Sequence, residues 1–165
     1  MTEDAFFDDL QPALESSTPE DAERADAELR ARAAAQPDDA LVQYLVASAY
    51  DGAGREAEAM PFYARAFALG VERLPPARQP EIFVQAGSTL RNLGRLDEAR
   101  ALLRDGMTRF PAYRALPVFA ALVEASAGDE RAAMGLLFRA VTMDEDASLR
   151  RFRRALRWYV DELPG

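Results

Sequence analysis

The side chains that could carry out chemistry in this chain are mainly carboxylates. The sequence contains no cysteine and no histidine, which excludes disulfides, thiol nucleophiles, thiolate metal sites and imidazole bases from it. Adjacent acids at Asp8–Asp9 and Asp38–Asp39 could serve as general acid and base only if they were buried and opposed in a cleft. Adjacent acids near helix starts are ordinary partners of the helix dipole. We therefore predict that the chain is not an enzyme.

A further acidic run, Asp144–Ser148, has the alternating oxygen side chains of part of a calcium-binding loop. The glycine and the distal glutamate that such a loop requires are absent. Helix capping at Asp146 explains these residues better. We predict no metal site and no cofactor.

The charge balance narrows the class of partner. The net charge is −8 and the estimated pI is 4.7, whereas nucleic-acid binding needs a sustained positive surface. No apolar run approaches the length of a membrane span, and the acidic start MTEDAFFDDL lacks the form of a signal peptide. We predict a cytoplasmic protein that binds neither nucleic acid nor membrane.

The elements that position these side chains follow a repeat. Gly94, Ala99 and Leu103 recur 34 residues later as Gly128, Ala133 and Leu137, and approximately 40 residues earlier as Gly54, Ala59 and Tyr63. A fixed period with a glycine between two apolar half-segments is typical of stacked helix–turn–helix units. The small residues permit close helix crossing, and the glycines permit the turn.

Periodicity and capping signals predict nine helices, separated by short turns and one longer loop at 71–80. The predicted helices are 5–15, 19–35, 39–52, 55–69, 80–92, 95–109, 114–127, 129–143 and 147–162. The start of the second predicted helix is indicated by Thr18, Pro19 and the acids after them, and the Thr18 hydroxyl is predicted to cap it. The loop at 71–80 is interpreted as a tolerated surface insertion, with a contact loop as the alternative.

These positions resemble the tetratricopeptide repeat family, although Gln43, Phe83 and Pro117 replace its first-helix tryptophan. Longer segments, such as GSTLRNLGRLDEARALLR, are also similar to a short bacterial subgroup of that family. The resemblance implies an all-α, right-handed α-solenoid of about 3.5 repeats with a C-terminal capping helix, forming one domain over residues 1–165. Its predicted parts are a degenerate repeat at 1–37, repeats at 38–79, 80–113 and 114–147, and the cap at 147–163.

The resemblance also implies a concave surface lined by the first helix of each repeat, suited to a helix or extended peptide. The contact residues implied by this register are Tyr44, Ser48, Asp51, Gln85, Ser88, Arg91, Asn92, Phe119 and Leu122. The same register brings Glu81, Val84, Val118 and Ser126 to that surface. Family members that grip chaperone tails use Lys, Asn and Arg at certain positions, where this chain has Tyr44, Ser48, Gln85, Ala115 and Phe119. A chaperone-tail adaptor is therefore disfavoured.

The two ends of the chain carry opposite charge. The first 28 residues contain ten acids and one base, Arg24, while the last predicted helix carries five arginines between 150 and 157. The favoured function is a non-catalytic protein-interaction module with a protein or peptide partner. The alternative is a self-associating structural module, a homodimer in the simplest case, whose acidic and basic ends meet.

Overall fold

The computed structural model describes residues 12–15 and 18–142, and all regular secondary structure in those ranges is helical. The helices are α1 (Pro19–Ala35), α2 (Ala40–Gly52), α3 (Glu56–Leu69), α4 (Arg78–Asn92), α5 (Leu96–Arg109), α6 (Ala115–Ser126) and α7 (Glu130–Thr142). A short 3-10 helix, Val71–Arg73, follows α3, and residues 12–14 are also helical. The predicted helix 147–162 and most of the predicted helix 5–15 lie outside these ranges. No helix of the described ranges is long and apolar enough to cross a bilayer.

The seven helices confirm the predicted helix–turn–helix pattern, with ends that differ from prediction by no more than two residues. The largest difference is at α4, which begins at Arg78 rather than at Pro80. The backbone N–H groups of Arg78 and Gln79 bond the carbonyl of Pro75 at 2.8 and 3.2 Å, so the first turn closes before Pro80. Proline is tolerated there because a first-turn N–H has no partner within the helix. The predicted loop 71–80 is therefore too long by three residues.

The insertion between α3 and α4 is anchored rather than free. Val71 and Leu74 are buried at 5% and 2% exposure, while Glu72 and Arg73 between them are exposed. The Gln79 side-chain amide donates a hydrogen bond to the carbonyl of Leu74 at 3.0 Å. The insertion therefore contributes two side chains to the interior, which a freely tolerated surface loop would not do.

The turns between paired helices share one geometry. At the end of α4, Gly94 has φ +73°, its N–H bonds the Arg91 carbonyl, and the next N–H, of Arg95, bonds the Leu90 carbonyl. These two bonds form the Schellman motif, which requires a left-handed residue at the glycine. Gly54 and Gly128 have φ +70° and +81° with the same pair of bonds. The predicted role of the repeated glycine is confirmed.

The chain divides into two compact units, Met1–Gln85 and Ala86–Gly165, which we call the N-terminal and C-terminal units. In the N-terminal unit α1 contacts α2, α2 pairs with α3, and the 3-10 helix contacts both α2 and α3. Tyr50 and Tyr63 are fully buried there, and Phe62 stacks on the Tyr50 ring at a centroid distance of 5.6 Å. Phe67 meets Phe83 edge-on at 5.2 Å. Large aromatic rings therefore fill this interior.

The C-terminal unit is filled by smaller side chains. Helix α5 packs against α6, and α6 packs against α7. Ala99 and Ala133, at the predicted small-residue positions, are 0% and 7% exposed, which confirms their predicted burial. A Cβ placed on Gly87 of α4 would lie 2.7 Å from Cγ of Leu103 on α5. Close approach of these two helices thus depends on the absence of a side chain at Gly87.

Candidate functional site

The acid pair at Asp38–Asp39 forms the start of α2. Oδ1 of Asp39 accepts hydrogen bonds from the backbone N–H groups of Leu41 and Val42 at 2.9 and 3.2 Å, which makes Asp39 the N-cap. Asp38 forms an ion pair with Arg65 of α3. The two carboxylates are thus engaged separately, and they are not opposed as an acid–base pair would have to be. At α1, by contrast, Thr18 is the N-cap residue but its hydroxyl makes no capping bond.

A cavity of about 400 Å³ lies beside this turn and is lined by residues 36–40 and Arg73. Its two carboxylates are those of Asp38 and Asp39, which already have the partners just described. Within residues 12–15 and 18–142, no group of three or more acidic side chains could hold a metal ion. The runs Asp8–Asp9 and Asp144–Ser148 lie outside the described residues.

Among the predicted contact residues, Tyr44 is placed differently from expectation. Its side chain is 1% exposed, and its hydroxyl donates to Oε2 of Glu81 at 3.3 Å. The guanidinium of Arg78 lies 5.9 Å from the Tyr44 ring centroid and also pairs with Glu81 at 2.9 Å. Burial, together with the negative charge of Glu81, raises the pKa of Tyr44. The ring fills the interior of the N-terminal unit, and the Arg78–Glu81 pair covers its polar end.

Three other predicted residues of the N-terminal unit, Ser48, Asp51 and Gln85, are half-buried. The hydroxyl of Tyr63 lies 3.3 Å from Oδ2 of Asp51 and 3.3 Å from Oε1 of Gln85. The structure therefore brings Asp51 and Gln85 together through a buried tyrosine. Whether these side chains contact a partner stays a prediction.

The C-terminal unit contains the remaining predicted contact residues on two of its helices. We call them, together with Ser126, the α4–α6 face: Ser88, Arg91 and Asn92 on α4, and Phe119, Leu122 and Ser126 on α6. Spacings of three and four residues place each set on one side of its helix. Because Arg91 bonds directly to Ser126, the two sets are neighbours.

A chain of hydrogen bonds holds Arg91 in place on this face. Nε of Arg91 donates to Oγ of Ser126 at 2.9 Å, and Nη1 donates to Oδ1 of Asn92 at 3.2 Å. The Ser126 hydroxyl in turn donates to the carbonyl of Leu122 at 2.9 Å, so its oxygen is free to accept from Arg91. Arg91 is half-buried as a residue, and the two side chains among the described residues that orient its guanidinium are neutral.

Most arginines of the described residues pair with a carboxylate instead. Arg100 of α5 illustrates the contrast with Arg91. Its Nε and Nη2 donate hydrogen bonds to both carboxylate oxygens of Glu124 at 2.8 and 2.7 Å. The other ion-paired arginines are Arg24, Arg30, Arg55, Arg65, Arg78, Arg95 and Arg109. Within residues 12–15 and 18–142, Arg91 has no carboxylate partner. Arg91 is therefore an oriented cation whose charge no carboxylate of the described part of the chain compensates.

Apolar surface lies next to this cation. Leu122 is 41% exposed, and Val118 and Phe119, one turn earlier on α6, are half-buried. Met134 on α7 is another exposed apolar side chain of the same unit, at 52%, but it lies on a second helix outside the face. The face thus combines an apolar strip with one cation, a composition that suits a peptide segment with an apolar edge.

The sequence does not predict a cluster of hydrogen bonds and ion pairs around Asp26. Its carboxylate accepts hydrogen bonds from Nε of Arg30 at 2.8 Å and from the hydroxyl of Tyr50 at 3.0 Å, and it pairs with Arg55 at 2.9 Å. Arg30 and Arg55 also lie 5.7 and 5.1 Å from the Tyr50 ring centroid. Desolvation opposes ionisation of Asp26, but the hydrogen bonds from Arg30 and Tyr50 and the nearby positive charges outweigh it, so the pKa of Asp26 is lowered. Asp26 therefore fastens α1 to α2 and is not a free surface acid.

Gln43 has a similar structural role. It is 4% exposed, and its side-chain amide donates to the carbonyls of Ala33 and Gln36 at 3.1 Å each. These carbonyls lie at the C-terminal end of α1, where the helix itself supplies no donors. Gln43 thus caps α1 from the neighbouring helix. The sequence signal for it is a polar residue within the apolar first half of α2.

A known protein family matches most of the chain. Residues 40–163 match the model of a protein family described as a tetratrico peptide repeat. No curated protein matches the chain. The matched range includes both helices of all three predicted full repeats.

Proposed function

The chain belongs to the tetratricopeptide repeat family, whose repeats generally mediate protein–protein interaction, and we propose that it binds a peptide segment of another protein on the α4–α6 face. Members of the family are typically non-catalytic scaffolds. The proposed role is accordingly that of an interaction module without chemistry of its own.

The observation that carries this proposal is the exposed Leu122 beside the oriented Arg91. An apolar side chain of a partner would cover Leu122 and pack against Phe119, removing apolar area from water. Arginine and apolar side chains together are typical of interface centres, where a few residues supply most of the binding free energy. Ser48, Asp51 and Gln85 of the N-terminal unit stay predicted contact residues.

The first prediction tests this face with a random dodecapeptide display library selected against the full chain. We expect peptides to be enriched, and we expect Leu122→Gln to weaken their binding by about tenfold because it removes an apolar contact. The dissociation constant is measured by fluorescence anisotropy with a labelled, enriched peptide.

Met134→Gln is the matched control, since Met134 is at least as exposed in the same unit but lies outside the face. It should leave the dissociation constant unchanged. A library without enriched peptides would contradict the proposed function. Equal losses from the two variants would show that binding does not use the α4–α6 face.

A further inference from the structure

We propose that the α4–α6 face recognises a carboxylate, and that Arg91 is the residue that binds it. This inference rests on the proposed function and adds the chemistry of the partner. The partner segment carries an aspartate or glutamate side chain next to an apolar residue: the acid pairs with Arg91 and the apolar residue covers Leu122.

The hydrogen bonds of Arg91 leave it ready for such a contact. A guanidinium has five N–H donors, and Ser126 and Asn92 accept from two of them. Both N–H groups of Nη2 and one of Nη1 have no acceptor among the described residues and are available to an anion. Because the Ser126 and Asn92 bonds already hold the side chain, binding a carboxylate costs little further side-chain entropy.

Charge complementarity identifies the occupant. Arginines at comparable exposure elsewhere in the chain, such as Arg55 and Arg100, are satisfied internally by carboxylates. At Arg91, the neutral side chains of Ser126 and Asn92 accept the hydrogen bonds that carboxylates accept from Arg55 and Arg100. They orient the guanidinium without neutralising its charge, so a carboxylate supplied by a partner can form a charge-assisted, two-pronged contact.

The neighbouring apolar strip sets the spacing of the partner motif. Arg91 bonds Ser126, which lies four residues, or about 6 Å, along α6 from Leu122. Alternate side chains of an extended peptide are about 6.6 Å apart, and residues four apart in a helix are separated by about 6 Å. The expected motif is therefore an acid two residues from an apolar residue in an extended segment, or four residues from it in a helix.

The experiment uses the same random dodecapeptide library and the full chain. Enriched peptides should share an acid at one of these spacings from an apolar residue. Replacing that acid by its amide, or Arg91 by Gln, should each weaken binding by about tenfold or more. Combining the two changes should cost little beyond either one, because both remove the same contact. Arg91→Lys keeps the positive charge but loses the planar pair of guanidinium donors. Its dissociation constant should therefore lie between those of the wild type and Arg91→Gln.

Arg104→Gln is the matched control, since Arg104 is exposed on α5 outside the face and the change in net charge is identical. Thermal melting confirms that each variant is folded. Enriched peptides that depend on Leu122 but share no acid would overturn the carboxylate inference and leave the proposed function standing. Equal effects of Arg91→Gln and Arg104→Gln would also overturn it, since the effect would then be one of net charge alone. Failure to enrich any peptide would overturn both.

Discussion

At the scale of single residues, Asp26 joins α1 to the rest of the N-terminal unit. Two arginines and one tyrosine contact its carboxylate, and two of these partners, Tyr50 and Arg55, belong to other parts of the unit. Hydrogen bonds to a charged group are stronger than those between neutral groups. This carboxylate should therefore matter more to stability than the other acids of α1.

We predict that Asp26→Asn destabilises the protein by about 1–3 kcal/mol at neutral pH. The pKa of Asp26 is lowered in the folded state, so its contribution is fully present above the pKa of the unfolded chain and is lost as the pH falls through the folded-state pKa. The difference in unfolding free energy between wild type and variant should therefore shrink below about pH 4. Urea unfolding measured from pH 7 down to pH 3 gives this difference.

Asp21→Asn is the control on the same helix, because the Asp21–Arg24 pair is exposed and surface pairs contribute little. It should change the unfolding free energy only slightly at any pH. An Asp26→Asn variant that behaved like Asp21→Asn would show that the cluster does not fasten α1.

Which of these residues the sequence could predict depends on how local their interactions are. Asp39 caps the helix that follows it, and such a bond spans two or three residues, so sequence position is enough. Tyr44 contacts Glu81 and Tyr50 contacts Asp26, across 37 and 24 residues. Those partners depend on how the helices pack. The repeat register predicts on which side of a helix a residue lies, but it does not predict which long side chain from another helix covers that residue.

At the scale of helices, the repeat register places alanine where two helices approach closely. Ala99 of α5 is 0% exposed, while Ala101, two residues later, is exposed. The ends of α2, α4 and α6 were predictable because the glycines that follow them are local signals, whereas the start of α4 differs from prediction by two residues. Its two additional residues depend on the Pro75 carbonyl and on the burial of Leu74, which composition does not reveal.

We predict that Ala99→Leu destabilises the protein by about 1–3 kcal/mol, because the added carbons have no room at the helix crossing. Ala101→Leu, on the exposed side of the same helix, is the matched control and should change stability by no more than about 0.5 kcal/mol. Thermal and urea unfolding measure both. If Ala99→Leu melts at the wild-type temperature, the repeat register assigned to α5 is wrong.

At the scale of the whole molecule, the repeat is visible as three turns of one geometry. Gly54, Gly94 and Gly128 have φ between +70° and +81° and share the same pair of backbone bonds. This periodicity was predictable because glycine is conspicuous in sequence and its requirement is local. The division into two units at residue 85 was not, because it falls within the continuous helix α4 and has no loop to mark it.

The last prediction tests whether the turn glycines are required for their conformation. A Cβ on Gly94 would meet no atom within 4 Å, so the cost of Gly94→Ala is that of a left-handed backbone, about 1–2 kcal/mol. Gly94→Asn should cost less, since asparagine tolerates this conformation better.

Gly52→Ala is the control, for which we expect no loss of unfolding free energy. Gly52 is the last residue of α2 and lacks a positive φ, so alanine there should leave stability unchanged or raise it. Urea unfolding of the three variants measures these differences. Equal costs for alanine and asparagine at Gly94 would mean that the turn is held by something other than its backbone conformation.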